Sequence, residues 1–422
     1  MRLEITPEIG LIDDDVRVGV SGGSPGAPVR LRGHRTDRAG SEWSSWADFN
    51  LDAEGRLDLA EAEPLAGTYG GRNAAGLFWS MRAESPSPAR EETLADQVAD
   101  VRFEITLEVD GRAVDSREVL LKWAGPGVAR EAVARDGVIA SLWVPAGSPP
   151  FRPVLSFGGS DGAVHEETGA LLASRGFLTM ALPYFRYPGL PQELVDIPLE
   201  YFERALNLLL DDPRAARPGG VGVVGRSRGG ELALVLGATF PTVDAVVAYV
   251  PSGIVHSGIT AGGPSWQSDV PSWTRAGAPV PYLGHVPQGS PASELPPPVR
   301  LTPLYCADLA DWGLAQAAAI PVERSAARIL LISGMDDAMW PSSLFSELAM
   351  ARLHAFGYPR PHRHLAFPEA GHRFNFPNLP ATTTASIHPA DGQMYEYGGT
   401  PEGNTRAGLE AHRAALAWLR GE

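Results

Sequence analysis

The chain has 422 residues, 44% hydrophobic and 20% charged, a balance that excludes a disordered chain and allows two domains of ordinary size. With 35 Lys and Arg against 50 Asp and Glu the net charge is −15, which argues against a nucleic-acid binder, because phosphate recognition needs positive surface. Cys306 is the only cysteine, so neither an intrachain disulfide nor a cysteine-built zinc site is available.

The first residues, Met1-Arg2-Leu3-Glu4-Ile5-Thr6, carry no apolar core of a signal peptide, and no run approaches 18 apolar residues. The expectation is a soluble cytoplasmic protein with no membrane partner. Lys122 is the only lysine among the 35 basic residues, a bias that reads as the codon usage of the source genome, taken here as bacterial.

The first third reads as β-structure. Val16, Val18 and Val20 alternate with polar or small neighbours, as do Val29 and Leu31. Val101, Phe103, Ile105, Leu107 and Val109 form the clearest period-two run. Asp110-Gly111 then supplies two residues tolerant of positive φ, which predicts a hairpin into the stretch through Leu121. Pro, Ser and charge from Ala83 to Gln97 predict a loop. Residues 1–130 are accordingly expected to form a small β-sandwich domain.

From about Val138 short apolar strands alternate with helical stretches. The strands are Val154–Phe157, Phe177–Leu182, Val221–Val224, Ala245–Val250, Ile329–Ile332 and His364–Phe367. The helices lie near Glu166–Ser174, Leu199–Leu210, Arg228–Thr239, Ser343–Phe356 and Arg406–Leu419. Strands apolar on both faces predict a mostly parallel sheet covered on both sides, an α/β domain over 131–422. Residues 251–305 interrupt the pattern with a Pro-, Gly-, Ser- and Trp-rich stretch. Its length suits a cap over a site, with Trp266, Trp273, Tyr282 and Leu283 as an apolar wall; the alternative is a floppy Pro-rich insertion.

Gly225-Arg226-Ser227-Arg228-Gly229 sits between an apolar strand and a helix, the context that a G-x-S-x-G nucleophile turn requires. Its sharpness demands glycine at the flanks and lifts the Ser227 hydroxyl above the sheet edge. An α/β-hydrolase then needs an acid and a histidine, each just beyond a later strand. Asp336-Asp337 follows one such strand and His372 another; Asp337 is preferred because this loop usually places the acid third after Gly334. The backbone N–H of Arg228 would donate to a developing oxyanion, and the Phe157–Gly162 loop would supply a second donor, with Gly159 the candidate. Two other patterns carry less. Gly220-Val221-Gly222-Val223-Val224-Gly225 matches G-x-G-x-x-G, but its glycines lie inside the strand rather than after it, so no dinucleotide is expected. His362 and His364 lack a third ligand, so no metal is expected either.

At these residues the chain resembles the acyl-CoA thioesterase / bile acid-CoA:amino acid N-acyltransferase family. The similarity runs through Gly67-Thr68-Tyr69-Gly70-Gly71, Gly76-Leu77-Phe78-Trp79, Ala181–Tyr187, Leu199-Glu200-Tyr201-Phe202, Gly225–Glu231, Ile320-Pro321-Val322-Glu323 and Gly371-His372. The resemblance implies a Ser227–Asp337–His372 triad acting on an acyl thioester through an acyl-enzyme, with no cofactor. Family acyltransferases tend to carry Cys as nucleophile and hydrolases Ser, so Ser227 favours hydrolysis. Transfer to an amine, ester or peptide hydrolysis, and a non-catalytic interaction protein remain as alternatives, as does a carrier-bound rather than CoA-bound donor. Arg186, Arg226 and Arg228 are candidates for a CoA or pantetheine phosphate, and Arg186 or Arg373 for an acceptor's carboxylate; the plain alternative is solvated surface arginines.

Overall fold

A computed structural model describes residues 1–84, 97–260, 268–284, 295–388 and 392–422. The chain divides into two compact units. One comprises Met1–Gly125, Phe374–Thr383 and Thr400–Leu409, and the other Pro126–Arg373, Thr384–Gly399 and Glu410–Glu422.

The first unit is built from a three-stranded and a seven-stranded sheet. The Val101–Val109 strand pairs antiparallel with Arg112–Lys122 across the Asp110-Gly111 turn, where φ is 50° and 73°, as the hairpin reading expects. Phe103, Ile105 and Leu107 are buried while Arg102 and Glu104 are exposed, so one face of the strand carries the apolar set. Late segments of the chain are tied into this unit. The Asn378 side chain donates to the carbonyls of Ile12 and Asp14 at 3.0 and 2.7 Å, and the Thr382 hydroxyl to Met81. The expected Ala83–Gln97 loop lies mostly outside the described residues.

The second unit is the α/β-hydrolase fold. Its strands are β1 (Ala129–Arg135), β2 (Val138–Val144), β3 (Arg152–Phe157), β4 (Phe177–Ala181), β5 (Val221–Arg226), β6 (Val243–Tyr249), β7 (Arg328–Gly334) and β8 (His362–Phe367). They lie in the order β1-β2-β4-β3-β5-β6-β7-β8. The β1–β2 and β2–β4 pairings are antiparallel, and every pairing from β4 to β8 is parallel. Burial of each residue from Val221 to Gly225 shows both faces covered, which is why the strand is apolar without alternation. The covering helices include α1 (Glu166–Ser174), α2 (Leu199–Asp211), α3 (Arg228–Thr239) and α4 (Ser342–Ala355).

A fifth helix, α5 (Pro401–Arg420), begins five residues before the sequence-based boundary. Gly403 and Asn404 weaken the helical pattern there, but Pro401 fits a first turn and the Thr400 hydroxyl accepts the Gly403 N–H at 2.9 Å. The described parts of 251–305 are built into this unit rather than left loose: Ile197–Pro198 pairs with Trp273–Arg275, and His256 bridges Leu283.

Candidate active site

The turn after β5 has the shape that its glycines allow. A Cβ on Gly225 would sit 2.0 Å from the Gly229 carbonyl oxygen, and one on Gly229 would sit 2.1 Å from that of Gly158. Neither position therefore accepts a side chain. Ser227 itself is held at φ 57° and ψ −121°, a conformation that L-residues rarely adopt and that persists only where the surroundings impose it. It precedes the first turn of α3, so its hydroxyl stands at the positive end of that helix.

His372 and Asp337 complete a continuous hydrogen-bonded line. The His372 Nε2 lies 2.9 Å from the Ser227 Oγ, and its Nδ1 lies 2.8 Å from Asp337 Oδ2. Both residues are 6% exposed. Asp337 also accepts the Met339 N–H at 2.9 Å and the Ser342 hydroxyl at 2.6 Å. Each neighbour donates, the pattern that suits an ionised carboxylate. With Nδ1–H directed at Asp337, Nε2 is left bare toward the serine. His372 is further fixed through its backbone, which donates to Tyr397 O at 2.7 Å. Asp336 turns the other way: its carboxylate is 55% exposed and accepts the Gly399 N–H at 3.0 Å.

Gly159 lies against Ser227. A Cβ built on it would be 3.1 Å from the Ser227 Cβ and 3.7 Å from the Arg228 nitrogen. Among the described residues neither the Gly159 nor the Arg228 N–H donates to a protein acceptor. Beside this loop sits a charged cluster. His165 bonds Glu167 at 2.8 Å and Asp161 at 3.2 Å. Burial pushes the Asp161 carboxyl up, but His165 and the Ala163 N–H outweigh it and leave it at about 2. Burial lowers His165, and its two carboxylate partners more than reverse this, so the imidazole is held well above its ordinary value.

The other sequence candidates divide. The Arg186 guanidinium donates to the Asp161 carbonyl at 3.3 Å, which puts it beside the Gly159 loop. Arg228 is corrected as a phosphate ligand: its side chain is 4% exposed and spent internally on Glu231 at 2.8 Å, on the His256 and Ser257 carbonyls at 2.9 Å, and on Ser272. Trp273 is corrected as an open pocket wall. It is fully buried, with its indole N–H on Glu231 at 2.9 Å and its ring against Tyr184 and Phe202. Tyr282 is half-buried against the same core, Leu283 is buried in a neighbouring cluster, and Trp266 lies outside the described residues. Arg226 lies with its guanidinium carbon 5.7 Å from the Tyr249 ring centre. Arg373 covers the Tyr397 ring at 3.7 Å and donates to Ser386. Asp244 pairs with Arg152 at 2.5 Å, and His364 bonds Ser333 at 2.7 Å.

Sequence reasoning missed Glu231, which gathers Arg228, Trp273 and the His256 N–H beneath the Ser227 turn. An acid in the first turn of an otherwise apolar helix was the available signal. Among the described residues no group of three or more His, Cys, Asp or Glu is arranged to hold a metal, and no helix is long and apolar enough to cross a membrane.

Residues 13–135 match the model of the acyl-CoA thioester hydrolase/BAAT N-terminal region, and residues 197–268 and 300–421 that of the BAAT/acyl-CoA thioester hydrolase C terminus. The chain is 31% identical over 420 residues to acyl-coenzyme A thioesterase 1 of Homo sapiens, covering 94% of this chain and 91% of that protein. It is 32% identical over 414 residues to acyl-coenzyme A thioesterase 3 of Mus musculus, covering 95% and 89%. Among solved structures it is similar to a dienelactone hydrolase of Klebsiella pneumoniae described as putative, at TM-score 0.41 and 15% identity over 70% of this chain and 98% of that one. A puromycin-hydrolyzing peptidase of Mycobacterium tuberculosis aligns at TM-score 0.43 and 15% identity, over 95% and 53%.

Proposed function

The chain belongs to the acyl-CoA thioester hydrolase/BAAT family, and from that premise we propose that it is a serine acyl hydrolase that cleaves acyl-CoA thioesters to free acid and CoA. In this reading residues 1–130 are a β-sandwich domain and 131–422 the catalytic domain, except that Phe374–Thr383 and Thr400–Leu409 group with the first unit. The observation that carries the reading is the unbroken line from the strained Ser227 through His372 to the buried Asp337.

The chemistry follows from that line. Ser227 Oγ attacks the thioester carbonyl while His372 Nε2 takes its proton, and Asp337 stabilises the imidazolium. The N–H groups of Arg228 and Gly159 receive the oxyanion, each worth on the order of 3 kcal/mol. Collapse breaks the C–S bond, and His372 returns the proton to the departing CoA thiol. Water, deprotonated by the same imidazole, then attacks the acyl-serine, and Ser227 regains its proton as the acid leaves. Arg186, beside the oxyanion loop, is a cation available to a CoA phosphate.

A second reading, transfer to an amine, is favoured by one feature. Arg373 follows the base directly in sequence and lies on Tyr397, where its charge could hold an acceptor's carboxylate. Incubation with acyl-CoA thioesters of graded chain length, with and without excess glycine and taurine, separates the two by mass spectrometry. Free acid as the main product, lost in Ser227→Ala, supports hydrolysis. Amide as the main product overturns hydrolysis and leaves the acyl-enzyme standing. Absence of both, with no labelling of Ser227 by a fluorophosphonate, overturns the enzyme reading of this site.

A further inference from the structure

The loop that holds Gly159 has no side chains of its own at Gly158 and Gly159, so something else must set the direction of its peptides. Tyr184, three residues beyond β4, is the side chain positioned to do so. Its ring is 2% exposed and packed against Phe157, Phe185, Phe202 and Trp273 at centroid distances of 5.3–6.5 Å. Its hydroxyl lies 3.1 Å from the Gly158 carbonyl oxygen and 2.9 Å from that of Gly159, and donates to the two as a shared bond. Burial keeps the phenol well above its ordinary pKa, so it remains a donor throughout the working pH range.

In a trans peptide the C=O and the following N–H point in opposite directions. Drawing the Gly158 and Gly159 carbonyls toward Tyr184 therefore turns the N–H groups of Gly159 and Ser160 away from it. Among the described residues neither N–H donates to a protein acceptor. Gly159 lies against Ser227, so a donor so directed is available at the reacting carbon. We infer that Tyr184 is a positioning residue of the oxyanion site, fixing the orientation of the second donor without touching substrate. The inference rests on Ser227 being the acyl-accepting nucleophile.

Tyr184→Phe removes one oxygen and leaves the ring packing in place. Deleting an oxyanion donor outright costs roughly 10²–10³ in kcat. A donor left free to turn away should cost about 10- to 100-fold in kcat, with KM changed less than about two-fold. Two CoA ligands separate this from a general loss of structure. A trifluoromethyl ketone analogue, which adds to Ser227 as an oxyanion, should weaken in step with kcat, while an unreactive thioether of the same chain length should bind as before. Tyr201→Phe is the matched control, since that buried hydroxyl donates to the Pro183 and Ile139 carbonyls at 2.8 and 3.1 Å and to no atom of the oxyanion loop. It should lose comparable stability and keep kcat within about two-fold of the parent.

Unchanged kcat in Tyr184→Phe overturns the inference, as does equal weakening of both ligands or an equal loss in Tyr201→Phe. Wild-type protein that neither turns over acyl-CoA nor reacts at Ser227 overturns the parent reading instead, before any variant is compared.

Discussion

Glu231 offers the sharpest test of what holds the turn at Ser227 in place. Its carboxylate is fully buried, pairs with Arg228 at 2.8 Å, and takes the Trp273 indole N–H and the His256 N–H. At alkaline pH, where the Glu231 carboxyl is ionised, Glu231→Ala leaves the Arg228 guanidinium buried without its counter-charge, a change that costs about 3–5 kcal/mol. That corresponds to amide exchange in α3 faster by about 10²–10⁴-fold, measured by hydrogen exchange on the full chain. The cost belongs to the stranded charge, so replacing both partners, Arg228→Met with Glu231→Leu, should be less harmful than the sum of the single changes by about 1–3 kcal/mol. There is a pH signature as well. Burial pushes the Glu231 carboxyl up to about 7, against the pull of Arg228. A raised folded pKa gives stability that is complete below the unfolded value of about 4.3 and is lost as pH rises through about 7. Glu231→Gln should flatten that fall. Single changes that accelerate exchange less than tenfold, or a double change equal to the sum, would refute the reasoning.

Three further outcomes are expected. Ser227→Ala and His372→Ala should each lower acyl-CoA turnover by several orders of magnitude, and Asp337→Asn by about 10⁴ through the wrong imidazole tautomer. Asp336→Asn should stay within a few-fold, because that carboxylate faces away; steady-state thiol release reads all four. Gly159→Ala would place a methyl 3.1 Å from the Ser227 Cβ and the Arg226 carbonyl, and should reduce kcat by about tenfold or more with the fold intact by circular dichroism. The Asp161–His165 pair should give stability a two-sided pH dependence. The Asp161 share is present above about 3.9 and lost as pH falls through about 2, while the His165 share is complete below about 6.5 and lost as pH rises through its elevated folded value. The stability difference between wild type and His165→Gln, followed by thermal melts, should therefore be larger at pH 6 than at alkaline pH.

Strand and helix identities in the second unit were legible because they depend on local periodicity. Val221–Val224 is apolar throughout since both faces of β5 are covered, and Arg228–Thr239, buried continuously from Arg228 to Gly237, reads as helix by its length and its Leu- and Ala-rich make-up. The turn at Ser227 was legible for a stronger reason: Gly225 and Gly229 stand where any Cβ would collide with backbone, so sterics wrote the motif into the chain. The carboxylate partner of His372 was only half legible. Asp336 and Asp337 share one turn, and which of them faces His372 depends on how that turn closes against Gly398 and Gly399, over sixty residues later.

Side chains whose partners are distant in sequence were not legible at all. Arg228 read as a surface cation, but His256, Ser257 and Ser272 fold over it and convert it into an internal strut. Trp273 read as pocket lining, but Glu231, 42 residues earlier, accepts its indole and draws the ring into the core. Tyr184 entered only within the Ala181–Tyr187 segment that carries the family likeness, and its hydroxyl reaches carbonyls 25 and 26 residues back. Periodicity and steric exclusion act over a few residues, so one chain records them. The direction of a buried polar group is set by whichever donors and acceptors the finished core brings within 3 Å, and that is decided only when the chain is folded.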